Sequence, residues 1–411
     1  MTQSKALKIL KSGVNIFLTG SAGTGKTFLL NKFVLDLKKN NIKVAVTAST
    51  GIAATHLRGR TIHSWSGIGI KNKMNKEAMK KLIKSKDFFK RIRETKVLII
   101  DEISMFDADR LDLVDRICKN IKDPFLPFGG LQTIMSGDFF QLPPVSQNQK
   151  LKFAYESSVW KNSNIKVCYL SKQFRQNDLK FTNVLNKIRL NEAGWEELNL
   201  LKTRLNQSTD SSINPTKLYT HNISVDAIND YELSRIKEKE MIYNMADRGQ
   251  KDLVDFLKKN CLVPETLKLK VGAIVMFVKN NFEAGYVNGT LGKVIAFDDN
   301  KSPIVKINSG RKITALPASW DFEEDNNIIA TIRQIPLRLA WAITIHKSQG
   351  MSLDAAEIDL SKSFECGMGY VALSRVRRLD NIKLIGINEM ALKVNPEVVE
   401  KDKEFKKISQ I

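Results

Sequence analysis

Residues 20–27 read Gly20-Ser21-Ala22-Gly23-Thr24-Gly25-Lys26-Thr27, which fits the pattern G-x-x-x-x-G-K-[ST]. In this pattern the glycines let backbone N–H groups turn toward phosphate oxygens, and a helix N-terminus adds partial positive charge. The apolar run 14–18 precedes the pattern, and the run 28–37, whose composition suits a helix, follows it. Because strand, loop and helix in this order are the context that the pattern requires, the sequence predicts a phosphate-binding loop. Lys26 is expected to reach the outer phosphates of a nucleotide and Thr27 to hold Mg²⁺.

The composition favours a folded protein with a polyanionic partner. The chain has 411 residues, of which 43% are hydrophobic, so it can bury sizeable cores, and its length is typical of about two to three domains. The formal net charge of +21, from 65 Lys and Arg against 44 Asp and Glu, favours nucleic acid as the partner. An anionic membrane is the weaker option, since no clearly amphipathic basic helix with aromatic anchors stands out.

The sequence also bears on the compartment of the protein. It contains no run of about 18 apolar residues, so it predicts no transmembrane helix and no membrane partner. The phosphate loop follows so soon after Met1 that we expect no signal peptide. The scattered cysteines form no C-x-x-C pair, which predicts reduced thiols, no zinc and a cytoplasmic protein.

An acidic pair follows the apolar run 97–100. A buried parallel strand beside the phosphate loop would deliver both carboxylates to the nucleotide. Asp101 is then expected to bind Mg²⁺, directly or through water, and Glu102 to orient and deprotonate the attacking water. The pair favours hydrolysis over phosphoryl transfer between small molecules.

Three further side chains are candidates for contacts with bases or phosphates. Gln3 precedes the first predicted helix, and its amide could pair with the N6 and N7 edge of adenine; a plain surface position is the alternative. Gln141 lies in the loop after the predicted strand 131–135 and could touch the γ-phosphate. Phe139, in the same loop, could stack on a base, with packing in the core as the alternative.

Loops near the predicted sheet edge suit contacts with a DNA backbone. The predicted strand 43–50 leads into Thr50-Gly51, and His63 follows in the next loop. Small hydroxyl residues and exposed N–H groups at the carboxyl edge of parallel strands can bind phosphodiesters. The region 71–96 carries eleven Lys and Arg. It indicates either a solvated helix pair or a DNA contact.

The segment 109–145 resembles the signature sequence of the Pif family of superfamily 1B DNA helicases, of which RecD and Dda are more distant relatives. The chain also resembles that family's motifs I, Ia, II and III in order and spacing, at residues 20–27, 50–54 with 61–65, 101–102 and 137–144. The resemblance continues through motifs IV, V and VI, at residues 169–176, 344–350 and 369–377. It spans nearly the whole chain and implies a minimal, bacterial form of the family.

The motifs assign candidate sites, with Arg175 and Arg375 as arginine fingers that reach the nucleotide. The catalytic candidates are Lys26, Glu102, Gln141, Arg175 and Arg375. The candidates for binding ATP are Gln3, Gly20, Ala22, Gly23, Thr24, Gly25, Lys26, Thr27, Phe28 and Gly350, and those for Mg²⁺ are Thr27 and Asp101. The DNA-binding candidates are Thr50, Gly51, His63, Phe139, Thr220, His221, Asn222, Thr344, His346 and Lys347.

The predicted fold class is α/β. Short strands with alternating pattern at 271–278, 292–297, 303–307 and 311–316 predict a small barrel, and the segment 334–350 is predicted to be helical. The resemblance implies two RecA-like P-loop NTPase domains with a small helical or hairpin insertion and an SH3-like β-barrel insertion. The expected domains are 1A (1–67 and 94–168), 1B (68–93, a basic wedge candidate), 2A (169–266 and 333–411) and 2B (267–332).

The resemblance implies a 5′-to-3′ DNA helicase that uses ATP and Mg²⁺, translocates on single-stranded DNA and unwinds duplexes. Its expected partners are single strands and single-strand/duplex junctions, with forks, RNA–DNA hybrids and G-quadruplexes as further substrates in repair, recombination and replication. We expect a monomer in solution, associated with a bacterial nucleoid. Two alternatives stay open: a DNA-dependent ATPase that remodels protein–DNA complexes without net unwinding, and a phosphate-loop nucleotide or nucleoside kinase. The basic charge and the two arginine motifs disfavour the kinase.

Overall fold

A computed structural model describes residues 1–57, 59–69, 73–144, 152–176, 178–209, 215–279, 281, 283–286, 289–307, 310–324 and 327–410. The helices are α1 (Gln3–Leu10), α2 (Lys26–Lys39), α3 (Gly51–His56), α4 (Ile62–Trp65), α5 (Lys76–Lys84), α6 (Lys86–Glu94), α7 (Ala108–Ile121), α8 (Ser158–Asn162), α9 (Leu179–Arg189), α10 (Trp195–Lys202), α11 (Asn222–Ser234), α12 (Lys251–Asn260), α13 (Ile345–Ser348), α14 (Met368–Leu373) and α15 (Pro396–Gln410). The strands are β1 (Ile16–Thr19), β2 (Val44–Ala48), β3 (Arg60–Thr61), β4 (Val97–Asp101), β5 (Gln132–Ser136), β6 (Lys166–Tyr169), β7 (Thr216–Tyr219), β8 (Met241–Asn244), β9 (Ala246–Gly249), β10 (Thr266–Leu269), β11 (Ile274–Phe277), β12 (Leu291–Phe297), β13 (Pro303–Ile307), β14 (Lys312–Thr314), β15 (Ala318–Glu324), β16 (Asn327–Gln334), β17 (Leu337–Leu339), β18 (Ala342–Thr344), β19 (Ala356–Leu360) and β20 (Ile382–Ile387).

The chain separates into two compact units, Met1–Thr220 with Ile345–Ile411, and His221–Thr344. The first unit is built on a parallel sheet with the strand order β3-β2-β4-β5-β1-β6. Strands β1 and β4 are buried along their whole length, as parallel strands covered on both faces must be. The mixed α/β class with a parallel sheet, and the predicted strands 43–50 and 97–100, are confirmed.

The phosphate-binding loop joins strand β1, which lies between β5 and β6, to helix α2. The helix begins at Lys26, and Gly25 precedes it with φ 80° and ψ 29°. An L-residue with a side chain adopts this left-handed conformation only at a cost, which explains the glycine here. The predicted order of strand, loop and helix is therefore confirmed, with the loop opening onto the carboxyl edge of the sheet.

A second parallel sheet of the first unit contains β7, β19 and β20. Helix α14 lies between β19 and β20 in the chain and carries the first part of the segment that resembles motif VI. The last helix, α15, packs against the first sheet: the ring of Phe405 lies 4.9 Å from that of Phe17, measured between centroids.

The basic region of the first unit folds into the helices α5 and α6, which turn Met79, Phe88 and Ile92 inward. Its Lys and Arg side chains lie mostly at the surface. Residues 70–72 of the predicted 1B insertion, like Val145 at the end of the segment 109–145, lie outside the described residues.

The second unit contains an antiparallel sheet with the strand order β14-β13-β12-β11-β17. Its core is apolar and includes Val275, Phe277, Val294 and Leu337. The predicted short strands at 271–278, 292–297, 303–307 and 311–316 correspond to β11 through β14 and are confirmed. A smaller sheet has the order β15-β16-β9.

The predicted helix over 334–350 is wrong. The segment forms the strands β17 and β18, and only α13, at its end, is helical. Pro336 has no N–H and disfavours the helical conformation at the residue before it. The Asn229 side chain also donates to the carbonyl of Ala342 over 3.1 Å and accepts from its N–H over 3.0 Å. These tertiary hydrogen bonds outweigh the local helix propensity.

In the part of the chain that the structure describes, no helix is both long and apolar enough to span a bilayer. Cys118, Cys168, Cys261 and Cys366 are free thiols, and the first two are buried.

Candidate functional site

A cavity of ≈ 380 Å³ opens at the phosphate-binding loop of the first unit. Loop, strand-end and motif residues from distant parts of the sequence meet there. Its lining residues are Ala22, Gly23, Gly25, Lys26, Thr27, Glu102, Gln141, Phe174, Arg175, Gly350, Ser352, Arg375 and Arg377. All five predicted catalytic residues therefore lie around one space.

Lys26 lies at the floor of this cavity. Its Nζ donates to the carbonyls of Gly20, at 2.7 Å, and Ser21, at 3.2 Å. Burial lowers the pKa of Lys26, and the nearby carboxylates of Asp138 and Glu102 act in the opposite direction. Phosphate oxygens are stronger partners for an ammonium group than neutral carbonyls are. The lysine is thus placed where an anionic ligand would complete its hydrogen bonds.

The acidic pair lies at the carboxyl end of β4. Burial, followed by the neighbouring charge of Glu102, raises the pKa of Asp101 to about 7. Glu102 has φ 52° and ψ 44°, a left-handed backbone conformation that residues other than glycine adopt only at a cost in free energy. Its carboxylate accepts a hydrogen bond of 3.0 Å from Nε2 of Gln349. The local strain is maintained by surrounding contacts, which is typical of a functional position.

The residues present fit a magnesium ion. Thr27 lines the cavity at the start of α2, and Asp101 is 5% exposed at the strand end. A hydroxyl and a carboxylate are the hard oxygen ligands that Mg²⁺ prefers. A cation beside the buried Asp101 would also favour its charged form.

Gln141 has an incomplete set of hydrogen bonds. It is 5% exposed and lines the cavity, and within the described residues its buried Oε1 has no hydrogen-bond partner. A buried polar atom without a partner is costly, and such an atom at a cavity wall points to a ligand or a bound water.

Both predicted arginine fingers line the same cavity, and Arg377 lines it as well. Arg375 is 1% exposed and donates to the carbonyls of Val371, at 2.8 Å, and Met351, at 3.3 Å. Arg175 donates to the carbonyl of Ser374 over 3.0 Å. Burial and the charge of Arg175 together lower the pKa of Arg375 to about 9. Two cations so close together and held by carbonyls suit a ligand with several negative charges.

The remaining nucleotide candidates lie in or beside the loop. Gln3 donates from Nε2 to the carbonyl of Thr24 over 3.1 Å, so its amide lies against the phosphate loop. The hydroxyl of Thr24 donates to the carbonyl of Ser21 over 2.9 Å and stabilises the turn. The side chain of Phe28 is 65% exposed, and it does not line the cavity.

Sequence reasoning missed Ser352 and Arg377, which line the cavity, and two residues with defined contacts or exposure, Phe174 and Gln349. Phe174 lines the cavity and is 53% exposed, which leaves its ring available to a base. Gln349 holds the carboxylate of Glu102, as described above. Both lie in segments that resemble motifs, and each is the neighbour of a predicted site residue, Arg175 or Gly350. The signal that could have identified them is a polar or aromatic residue directly beside a motif residue.

The DNA candidates of the first unit occupy varied environments. Thr50 accepts from the N–H of Ala53 over 3.2 Å, and Gly51 is exposed at the start of α3. His63 packs edge-to-face on Phe106 with 5.4 Å between ring centroids, and burial lowers its pKa to about 4. This histidine is therefore neutral near pH 7 and can contact DNA only as a neutral donor or acceptor.

Other DNA candidates lie at the ends of strands. Thr220 follows β7 and is 7% exposed, whereas His221 is exposed. The side chain of Asn222 lies outside the described residues. Thr344 is 4% exposed at the end of β18. The segment after it contains His346, whose Nε2 lies 3.5 Å from a carboxylate oxygen of Glu365, and the half-buried Lys347.

The prediction that Phe139 contacts DNA is wrong. Its side chain is 4% exposed. Aromatic rings surround it: those of Tyr155 and Phe17 lie 4.9 Å and 5.4 Å away, measured between centroids. Phe153, Trp160 and Phe405 complete the cluster. The ring is enclosed by the core and is not open to a base.

Comparison with known proteins gives consistent results along the whole chain. A family model described as PIF1-like helicase matches residues 3–194, and one described as DNA helicase Pif1, 2B domain, matches residues 252–297. The ATP-dependent DNA helicase Pif1 of Psychrobacter sp. is 43% identical over 100% of this chain and 71% of its own length. That of Bdellovibrio bacteriovorus is 35% identical over 98% and 91%. The chain spans a smaller share, 62%, of the human PIF1 helicase, with 35% identity.

Solved structures agree with these matches. The crystal structure of Pif1 helicase from Candida albicans is 36% identical, with a TM-score of 0.91 and 98% coverage of both chains. That of a Bacteroides Pif1 helicase with ADP-AlF3 and single-stranded DNA is 33% identical, with a TM-score of 0.77, and covers 98% of this chain and 96% of that one. On this identity, coverage and fold, the chain belongs to the PIF1-like helicase family.

Proposed function

We propose that this chain, an ATP-dependent DNA helicase by its family, uses the cavity at the phosphate-binding loop as its motor site and moves 5′-to-3′ along single-stranded DNA. One observation carries the proposal: Lys26, Glu102, Gln141, Arg175 and Arg375 line a single cavity although up to 349 positions separate them in the sequence, from residue 26 to residue 375. A binding protein without turnover would need neither the acidic pair nor the two arginines.

The domain division supports a motor of this kind. We place RecA-like domain 1A at 1–67 and 94–168, and RecA-like domain 2A at 169–266 and 333–411. Each has a parallel sheet, with the orders β3-β2-β4-β5-β1-β6 and β7-β19-β20. The helices α5 and α6 belong to an insertion, 1B, at 68–93. The antiparallel sheet of the second unit suits an SH3-like domain 2B at 267–332, in line with the 2B-domain match at 252–297.

The roles of the residues follow from their chemistry. Lys26 and the loop N–H groups bind the β- and γ-phosphates, and Gln141 offers its unpartnered amide oxygen to the attacking water or its amide group to the γ-phosphate. Glu102, held by Gln349, accepts the proton of that water. Arg175 and Arg375 stabilise the charge that develops on the transferred group. Thr27 and Asp101 would hold Mg²⁺, which would supply positive charge to neutralise the phosphates.

Hydrolysis becomes movement if the arginines bind the triphosphate state better than the diphosphate state. ATP then favours closed domains, and loss of the γ-phosphate lets them reopen. Loops at Thr50, His63, Thr220, His221 and Lys347 would grip one DNA strand in alternation. The solved relatives include Bacteroides Pif1 bound to single-stranded DNA and a Pif1 structure on forked duplex DNA, which support this substrate class.

The finer substrate range is also a proposal. We propose that the chain is a monomer in solution and that it acts at single-strand/duplex junctions, with forks, RNA–DNA hybrids and G-quadruplexes among its substrates. A motor of this type would serve repair, recombination and replication. Its place in a bacterial cell would be the nucleoid, where the DNA is.

Phe174→Ala is expected to raise the KM for ATP about tenfold and to change kcat little. Loss of base stacking costs about 1–3 kcal/mol, and an interaction that binds substrate and transition state equally affects KM alone. Steady-state ATPase assays with saturating single-stranded DNA measure both constants. Phe125→Ala is the control, because Phe125 is 90% exposed and does not line the cavity. An unchanged KM for ATP in Phe174→Ala would show that the Phe174 ring does not stack on the adenine base.

The proposed function is tested by measuring ATP hydrolysis and strand displacement in parallel. We expect hydrolysis that single-stranded DNA stimulates, and displacement that requires both ATP and Mg²⁺. Stimulated hydrolysis without displacement on any tailed duplex would identify the remodelling ATPase instead. Hydrolysis that DNA does not affect would contradict the motor.

A further inference from the structure

A chain of buried polar side chains lies behind the phosphate-binding loop. The Tyr370 hydroxyl donates to Oδ2 of Asp138 over 3.1 Å. Asp138 accepts at Oδ1 from Nη2 of Arg189, also over 3.1 Å. Arg189 donates from Nη1 to the hydroxyl of Tyr169 over 2.6 Å, and that hydroxyl donates to Oδ1 of Asp402 over 3.0 Å. The chain thus joins helices α14 and α9 through Asp138, in the segment that resembles motif III, and joins α9 to α15 through Tyr169.

Tyr370 also contacts the loop itself. Its hydroxyl accepts a hydrogen bond of 3.0 Å from the N–H of Ala22. The side chain is 1% exposed, and burial raises the pKa of Tyr370, so the phenol keeps the proton that it donates to Asp138. A single oxygen therefore ties the first half of the phosphate loop to a buried ion pair.

The ion pair orders this attachment in the arrangement that the structure describes. Asp138 is fully buried, and Arg189, 6% exposed, places its guanidinium carbon 4.3 Å from the ring centroid of Phe140. Buried ionic groups that satisfy one another are held in one geometry, because moving either partner leaves an uncompensated charge. A hydroxyl that donates to such a pair has little freedom to shift.

The arginine finger, Arg375, lies two residues after helix α14. Tyr370 lies in α14, and Nε of Arg375 donates to the carbonyl of Val371 in that helix. The finger is therefore held by the backbone next to Tyr370, while Tyr370 is held by the phosphate loop. While it is formed, the contact between Tyr370 and Ala22 sets how far the finger lies from the loop that binds the phosphates.

We propose that Tyr370 is a positioning residue for ATP hydrolysis, which holds the Arg375 helix in register with the phosphate loop. This inference rests on the proposed function, since it assigns Tyr370 to the same motor site. It predicts that the hydroxyl acts on the chemical step through Arg375 and not on DNA binding. A misplacement of a catalytic group by about 1 Å is enough to slow a reaction severely.

Tyr370→Phe removes the hydroxyl and keeps the ring. We expect kcat for DNA-stimulated hydrolysis to fall about tenfold or more, with the KM for ATP and the affinity for single-stranded DNA nearly unchanged. Tyr155→Phe is the matched control: this ring packs in the aromatic cluster around Phe139 and does not line the cavity. A purely structural role would lower thermal stability without separating kcat from KM.

A double-mutant cycle tests whether Tyr370 affects kcat through Arg375 or independently of it. In the Arg375→Ala background, Tyr370→Phe should change the residual kcat by less than about twofold, because the group through which Tyr370 acts is gone. Full additivity would overturn the proposal, and so would a wild-type kcat in Tyr370→Phe. Absence of DNA-stimulated hydrolysis in the wild-type protein would instead reject the proposed function.

A second variant covers the case in which Tyr370→Phe does not fold. Tyr169→Phe removes the far hydroxyl of the chain, between Arg189 and Asp402, and leaves the Tyr370–Ala22 contact in place. We expect a smaller loss in kcat, about threefold, with KM unchanged. If Tyr370→Phe is unfolded and Tyr169→Phe has wild-type kcat, the proposal is overturned.

Discussion

Arg375→Ala is expected to lower DNA-stimulated ATP turnover on the order of 10³-fold or more, as loss of a transition-state arginine does in related phosphoryl transfer. The guanidinium is 1% exposed and lines the cavity with Lys26 and Glu102. It is held by carbonyls of Val371 and Met351, which orient it without neutralising its charge. Most of the affinity for single-stranded DNA should remain, since this side chain faces the nucleotide cavity. Steady-state hydrolysis and a filter or anisotropy binding assay measure the two properties.

Two variants make this first prediction specific. Arg378→Ala removes an arginine three positions away whose side chain is 61% exposed, and it should hydrolyse ATP like the wild type. Arg375→Lys keeps a cation in the buried site and loses the planar fork, so most of the loss should persist. Normal hydrolysis by Arg375→Ala would show that the cavity is not where the γ-phosphate is transferred.

Glu102→Gln is expected to retain binding of ATP and DNA and to lose at least about 10²-fold in turnover, the scale of a general base. The amide keeps the size of the carboxylate and can still accept from Gln349, but it cannot take a proton from water. The left-handed backbone at this position is compatible with either side chain. Single-turnover hydrolysis and binding of a fluorescent nucleotide analogue measure the two effects separately.

The control for this variant is Glu77→Gln, an exposed position on α5. It alters the net charge by the same amount, and we expect wild-type turnover. Retained turnover in Glu102→Gln would assign the base to another group. Loss of nucleotide binding would mean that Glu102 serves the structure of the strand end instead.

The parts of the site that local pattern determines could be predicted from the sequence. The loop at 20–27 depends on a short apolar run, a glycine at positive φ and a following helix. The strand before Asp101 depends on its own apolar run. Each of these signals lies within a few neighbouring residues. The roles of Arg175 and Arg375 came from the resemblance to a family, because no local pattern brings residues so far apart to one cavity.

Tertiary contacts decided the features that sequence reasoning got wrong or missed. The strands β17 and β18 replace a predicted helix because Pro336 and Asn229 direct the backbone into other hydrogen bonds. Phe139 is enclosed by rings that include Phe405, from the far end of the chain. The spacing of apolar residues in a strand or helix indicates which face of that element is buried. It does not indicate which other element covers that face.

The most direct test of the account is strand displacement on matched duplexes that carry either a 5′ or a 3′ single-stranded tail, with and without ATP and Mg²⁺. We predict that the wild-type protein displaces the strand of the 5′-tailed duplex in an ATP-dependent reaction, that the 3′-tailed duplex stays intact, and that Arg375→Ala displaces neither. Displacement that requires a 3′ tail would contradict the proposed direction. Displacement that proceeds equally well without ATP, or with Arg375→Ala, would contradict the assignment of the cavity as the motor site.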